Sequence, residues 1–218
     1  MHTTPKPRRQ DAGHPRVSPR DLSLLRLIGE HYAVTLPQLA RLIGRSEPAA
    51  RWLRTRWQKA GWVEGRALIV GQPVFVWLTR EGQRLAGLDY KLWSPNPGIL
   101  AHVRAVVEVR LYVTERRPAA VWVSERQIAR DRRSEPGESG HLPDAVVEID
   151  GREAAVEVEL TLKKRARLER IIAANLARYE NLWYFTVPGT RRALEQVAAQ
   201  VGGEKFAVLP MPGDGAGG

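Results

Sequence analysis

Three helix starts in succession lie between residues 18 and 48, and no other feature narrows the fold of this chain as much. Ser18-Pro19-Arg20-Asp21 is the first. The serine can cap, the proline suits the first helical position, and the aspartate stands where its carboxylate answers the cap. Leu22, Leu25, Ile28 and His31 then fall on one helical face. Thr35-Leu36-Pro37-Gln38 repeats the grammar, with Leu36, Leu39, Ala40 and Ile43 as its apolar stripe and Gly44 as its stop. Ser46-Glu47-Pro48 opens a third helix almost at once, predicted to run to about Ala60 before Gly61 ends it.

Short helices joined by a tight glycine turn form a helix-turn-helix. Leu68-Ile69-Val70 and Val74–Leu78, separated by Gly71-Gln72-Pro73, read as a β-hairpin, and Thr79-Arg80-Glu81-Gly82 caps a further short helix. Over residues 18–88 this order resembles the winged-helix regulators, in which a strand ending in Leu-Thr-x-x-Gly leads out of the wing. Within the third helix, the 100° rotation per residue puts Ala49, Leu53, Trp57 and Ala60 toward the core. Glu47, Arg51, Arg54, Thr55 and Gln58 lie opposite, where side chains would enter a major groove, with Arg45 and Lys59 placed to meet phosphates. The alternative for this face is a merely solvated basic surface.

The charge distribution favours nucleic acid. Residues 1–92 hold 16 Lys/Arg against 7 Asp/Glu, whereas residues 93–218 hold 18 against 17. Counterion release from a phosphate backbone requires positive charge gathered on one surface, and solubility alone does not. The absence of cysteine excludes disulfides, thiolate metal sites and cysteine nucleophiles. No stretch approaches the roughly 20 apolar residues of a membrane span, and Met1–Arg20 lacks the apolar centre of a signal peptide, so a cytoplasmic protein with no membrane partner is expected. Residues 1–17 read as a disordered basic arm, 18–92 as the first domain, and 211–218, rich in glycine, as a disordered tail. The joint falls at Leu92–Gly98, where two prolines disfavour helix.

Residues 98–210 form the second predicted domain. A long helix from Ile99 to Arg116 is followed by strands at Ala120–Ile128, Asp144–Ile149 and Ala154–Leu162. A helix at Lys163–Tyr179, a strand at Leu182–Val187, a helix at Thr190–Val201 and a strand at Phe206–Leu209 complete it. This αβββαβαβ order indicates a mixed α/β domain. Asp150-Gly151 is a two-residue hairpin signal that sets Ile149 opposite Arg152. Asp144 then stands across from Glu157, with Glu159 further along the same face, while Ala145, Val147, Ile149, Val156, Val158, Leu160 and Leu162 occupy the apolar face. Like charges directly opposite are destabilising, so the pair calls for a cation, a proton or full solvation. Asp144 and Glu157 could give two oxygen ligands to Mg²⁺ or Mn²⁺, able to activate water against a phosphodiester. The alternative is an acidic, solvent-facing sheet edge. His102 and His141 read as ordinary polar residues. On the helix from Lys163, the series Lys163, Lys164, Arg165, Arg167, Arg170 and Arg178 reads as a solvated face or a DNA backbone contact.

Pro143-Asp144 followed by Glu157 in the next strand resembles the PD-(D/E)xK nuclease superfamily. That resemblance implies a restriction-endonuclease-like fold, with Asp144, Glu157, Glu159 and Lys163 as catalytic candidates and Glu108 as an additional acidic metal ligand beside Asp144 and Glu157. The pattern departs at Glu159, where the family carries lysine; Lys163 or Lys164 can substitute only if the strand end curls inward. The helix-turn-helix together with His141-Leu142-Pro143-Asp144 and Val156–Lys163 resembles the replication-relaxation family of plasmids and conjugative elements. This implies an α+β chain with an N-terminal winged helix-turn-helix and a nuclease-like mixed α/β domain. Three functions stay open: a DNA-binding protein of plasmid replication or transfer with an active or inactive nuclease-like domain, a metal-dependent endonuclease, and a dimeric repressor. The expected partners are double-stranded DNA, a second copy in a homodimer, and other replication or transfer proteins.

Overall fold

The computed structural model describes residues 16–133, 140–201 and 203–213. The expected arm at 1–17 and tail at 211–218 lie outside them, apart from residues 16–17 and 211–213. The chain is a mixed α+β protein, with two sheets among the described residues.

Both early capping signals form as read. Ser18 and Asp21 make a reciprocal capping box at the start of α1 (Pro19–Glu30), and Thr35 and Gln38 make one at α2 (Leu36–Ile43). Gly44 then ends α2 in the left-handed conformation. Between them runs β1 (Ala33–Thr35), a strand of three residues, too short to show a period. Next comes α3 (Glu47–Lys59), whose Ser46 makes no side-chain cap. Trp57, fully buried, and Ala50 anchor it, with Ala49, Leu53 and Ala60 packed alongside.

The hairpin differs from the reading. Its strands are β2 (Val63–Arg66) and β3 (Phe75–Leu78), paired from Val63↔Leu78 to Arg66↔Phe75, and Leu68–Val70 form no strand. The reason lies in burial: Trp62 and Val63 enter the core directly after Gly61, whereas Val70 stands wholly exposed at the tip. β1 joins the other edge of β3. Thr79 caps α4 (Arg80–Leu85), and a Cβ at Gly82 would lie 1.8 Å from the Trp62 carbonyl oxygen, which accounts for glycine there.

After a short 3₁₀ turn comes α5 (Leu100–Arg116), apolar on several faces because it is covered from several sides. Val107 and Leu111 pack with Leu25, Leu39 and Trp57, whereas Leu100 and Val103 meet Ala33, Phe75 and Trp77. Ala105, Val106 and Val109 lie on the second sheet. One helix thus contributes to the cores around both sheets.

In place of the single strand expected at 120–128 there are β4 (Val121–Ser124) and α6 (Glu125–Arg132). The Ser124 hydroxyl accepts from the Gln127 amide at 3.3 Å, so Ser-Glu-Arg-Gln is a helix start within an apparently strand-like run. β5 (Ala145–Ile149) and β6 (Arg152–Glu159) follow, then α7 (Arg165–Arg178), β7 (Asn181–Thr186), α8 (Pro188–Val201) and β8 (Phe206–Pro210). The order is therefore αβαββαβαβ. Asp150 and Gly151 both take positive φ in the turn, and the β5–β6 register runs from Ile149↔Arg152 to Ala145↔Val156, as the turn predicts. The sheet order is β4-β5-β6-β7-β8, antiparallel through β6 and parallel beyond it. α5 covers the face carrying Ala145, Val147, Val156 and Val158, and α7 and α8 cover the other through Leu168, Ile172 and Leu194. Among the described residues no helix is long and apolar enough to cross a membrane.

Candidate functional site

The hairpin places Asp144 and Glu157 side by side, and the tertiary structure then surrounds them. Glu157 and Glu159 are only 2% and 3% exposed, so this is not the solvent-facing edge that the strand pattern also allowed. Asp144, just before β5, accepts from the Val158 amide at 2.7 Å through Oδ2 and meets His102 Nε2 at 2.9 Å through Oδ1. Glu157 Oε1 meets His141 Nε2 at 2.6 Å and accepts from the Asn175 amide at 2.9 Å. The two imidazoles read as ordinary polar residues are thus the immediate partners of the two carboxylates. His102 comes from α5, 42 positions before Asp144, and Asn175 from α7; neither was marked by local pattern.

Lys163 closes the cluster. β6 ends at Glu159, the chain to Lys164 is neither helix nor strand, and the Lys163 ammonium returns to pair with Glu159. It lies near enough to His102 and His141 to oppose their protonation. Glu108 does not join the group. At 100° per residue it is rotated by about 240° from His102 on α5, and it pairs with Arg41 and accepts from Gln38 at 2.9 Å. In its place α6 brings Glu125, whose carboxylate accepts from the Tyr32 hydroxyl at 3.1 Å. A cavity of about 20 Å³, lined among others by Tyr32, His102, Glu125 and Asp144, leaves space for about one water molecule.

The electrostatics of the cluster share one sign. Burial pushes the Glu157 carboxyl up, and burial together with the Asp144 charge does the same to Glu125. Burial pulls His102 down, but its hydrogen bond and charge contact with Asp144 outweigh this and leave it raised; the Glu157 hydrogen bond raises His141 against its burial. Tyr184, on β7 beside Glu157, is fully buried, its hydroxyl has no hydrogen-bond partner among the described residues, and burial raises its pKa above the ordinary value. The cluster thus sets four carboxylates, Asp144, Glu157, Glu159 and Glu125, beside one lysine and two imidazoles. Asp144 and Glu157 carry carboxylate oxygens, the donor type that a divalent cation takes, each already hydrogen-bonded within the protein. Among the described residues no three His, Asp or Glu side chains converge into a metal cage, and Mg²⁺ is ordinarily held by one or two carboxylates with water and phosphate oxygens.

A second candidate surface lies on α3. Arg45, Glu47, Arg51, Thr55 and Lys59 are exposed, and Glu47 pairs with Arg51 at 3.1 Å. Arg54 and Gln58 are less exposed than expected. Arg54 lies against β2 so closely that a Cβ at Gly65 would stand 2.9 Å from its Cδ, and the Gln58 amide donates to the Gly65 carbonyl at 3.4 Å. Arg56 is drawn inward to Asp21. The outermost line of the helix is therefore Arg51, Trp52, Thr55 and Lys59, rotated by roughly 70° from the face inferred by periodicity. Trp52, which the sequence reading passed over, is 66% exposed.

No protein-family profile and no curated protein matches the chain. Among solved structures it is similar to protein VC1899 from Vibrio cholerae, with 12% identity and a TM-score of 0.35; the match covers 89% of this chain. The chain spans about half of that protein's length, 53%.

Proposed function

We propose that this chain is a double-stranded-DNA-binding protein of a mobile element, acting in plasmid replication or transfer. In this reading α1–α4 with β1–β3 are a winged helix-turn-helix, α3 is the recognition helix and residues 67–74 form the wing tip. The remainder is a PD-(D/E)xK-like domain of the replication-relaxation kind, and the protein binds DNA as a homodimer. The outer face of α3 carries the proposal. Arg45, Arg51 and Lys59 are exposed on or beside a helix whose inner face is fixed by Trp57, and the one acid of that face, Glu47, is already paired. Fluorescence anisotropy on a labelled duplex of mixed sequence tests it. Arg51→Ala is expected to weaken binding about tenfold and relax sequence preference, whereas Lys59→Ala weakens all sequences alike and lowers the salt slope by about 1. If Arg54→Ala removes sequence preference and Arg51→Ala does not, α3 faces the groove differently; no binding at all by the wild type removes the proposal.

One observation favours a second reading, a metal-dependent endonuclease: the return of Lys163 to Glu159, which sets an ammonium beside the acidic cluster. Asp144 and Glu157 would hold Mg²⁺ or Mn²⁺ as carboxylates, His102 and His141 would orient them by hydrogen bonds from their Nε2 atoms, and Lys163 would offer positive charge to a phosphodiester oxygen. The cation, when bound, lowers the pKa of a water molecule and neutralises developing charge. Calorimetry with each metal, alongside plasmid nicking, compares the wild type with Asp144→Asn/Glu157→Gln. This reading expects binding and nicking in the wild type and neither in the variant. A wild type that neither binds metal nor nicks leaves the second sheet as a scaffold for the DNA-binding half.

A further inference from the structure

Trp52 has no structural duty that explains it. It stands 66% exposed on α3, the only aromatic side chain among the large apolar residues exposed in the described chain. Its inner neighbours are complete without it: Trp57 fills the core and gives its indole N–H to Asp21 at 2.9 Å. The Arg56 guanidinium lies 5.7 Å from the Trp52 ring centroid and is itself held by Asp21, so the tryptophan sits on a tethered cation with an open outer face. Around it Arg51, Thr55 and Lys59 are exposed, and Arg45 stands at the start of the helix. A tryptophan contributes a large, rigid area on burial, and leaving it in water forgoes that gain. The partner that completes this surface must therefore offer flat apolar surface and negative charge together.

We propose that Trp52 is a contact residue for duplex DNA, pressing its open face on deoxyribose or a thymine methyl group while Arg51 and Lys59 meet phosphates and base edges. The inference rests on the DNA-binding reading of α3 and adds to it an apolar contact. Charge complementarity selects this occupant, since the apolar ring is bordered by Arg51, Arg56 and Lys59, whose two neighbouring acids, Glu47 and Asp21, are engaged by Arg51 and Arg56. An apolar contact releases no counterion, and this separates it from its neighbours.

The test is a salt series of anisotropy titrations on the labelled mixed-sequence duplex, with full-length wild type, Trp52→Ala, Trp52→Phe and Lys59→Ala. Trp52→Ala is expected to lose about tenfold in affinity at every salt concentration with an unchanged salt slope, and Trp52→Phe to keep most of the affinity. Circular dichroism and thermal melting of Trp52→Ala should match the wild type, because the side chain it removes is exposed. Wild-type affinity in Trp52→Ala, with Lys59→Ala impaired, overturns the role of Trp52 and leaves the DNA reading standing. Failure of the wild type to bind the duplex overturns both. A wild-type dimer that Trp52→Ala converts to a monomer in analytical ultracentrifugation overturns the inference by assigning the tryptophan to self-association.

Discussion

Asp21→Ala is expected to lower the stability of the protein by about 3 kcal/mol, well beyond the effect of losing a helix cap. The residue is 3% exposed, and its carboxylate joins the start of α1 to α3. It accepts from the Ser18 amide and hydroxyl at 2.9 and 2.8 Å, from the Trp57 indole at 2.9 Å, and pairs with Arg56. Alanine would remove the carboxylate half of the α1 capping box, strand an indole N–H in the core and leave a guanidinium without its carboxylate. Burial pushes the Asp21 carboxyl up, but the Ser18, Trp57 and Arg56 interactions outweigh it and hold it below the usual carboxylate value. A lowered folded pKa means that the unfolded chain takes up protons first on acidification. Its contribution is therefore complete above the unfolded aspartate value, about 3.9, and is lost as the pH falls through the folded value. Urea unfolding of wild type and Asp21→Asn at neutral and acid pH measures this. A loss under about 1 kcal/mol for Asp21→Ala, or an acid slope unchanged in Asp21→Asn, would show that α1 and α3 are joined by packing alone.

Arg126→Lys is expected to cost about 3 kcal/mol despite keeping the charge. Arg126 is 8% exposed, donates to the Gly29 carbonyl at 2.6 Å and to that of Lys91, and lies 4.7 Å from the ring centroids of both Tyr32 and Tyr90. A planar guanidinium can lie between two rings while reaching two carbonyls, and an ammonium cannot. The change would leave carbonyls of two segments without donors and loosen α6 from α1, beside the Tyr32–Glu125 hydrogen bond that borders the acidic cluster. Hydrogen exchange is expected to show lost protection in α6 and around Tyr90 before the rest of the chain. Wild-type unfolding and exchange in Arg126→Lys would reduce this contact to a surface pairing.

The parts of the site that depend on short spacings were legible in advance. Asp144 and Glu157 could be set side by side because a two-residue turn determines its register and strand faces alternate. Their surroundings could not. His102 and Asn175 reach them from helices whose rotation is set by packing, and Glu108, on the same helix as His102, is turned to Arg41 and Gln38 for the same reason. Lys163 illustrates the middle case: a curl after β6 was the stated condition, and the pairing with Glu159 is what the fold supplies. α6 was lost to an apolar run although Ser124 and Gln127 carried its capping signal, because a capping pair is weak evidence against strand-forming neighbours.

The sequence by itself determined the helix starts at Ser18 and Thr35, the Gly44 stop, the turn at Asp150-Gly151 and the alternation of acidic and apolar positions along β6. Each depends on hydrogen bonds or steric limits between residues a few positions apart, which a local pattern records. Only the tertiary structure decided that Glu157 and Glu159 are buried, that two imidazoles face Asp144 and Glu157, and that Trp52 and Lys59 displace Arg54 and Gln58 from the outer face of α3. Those outcomes follow from which surfaces compete for the same core, as when Asp21 draws Arg56 inward and β2 takes up Arg54, and that competition is settled between residues far apart in the chain.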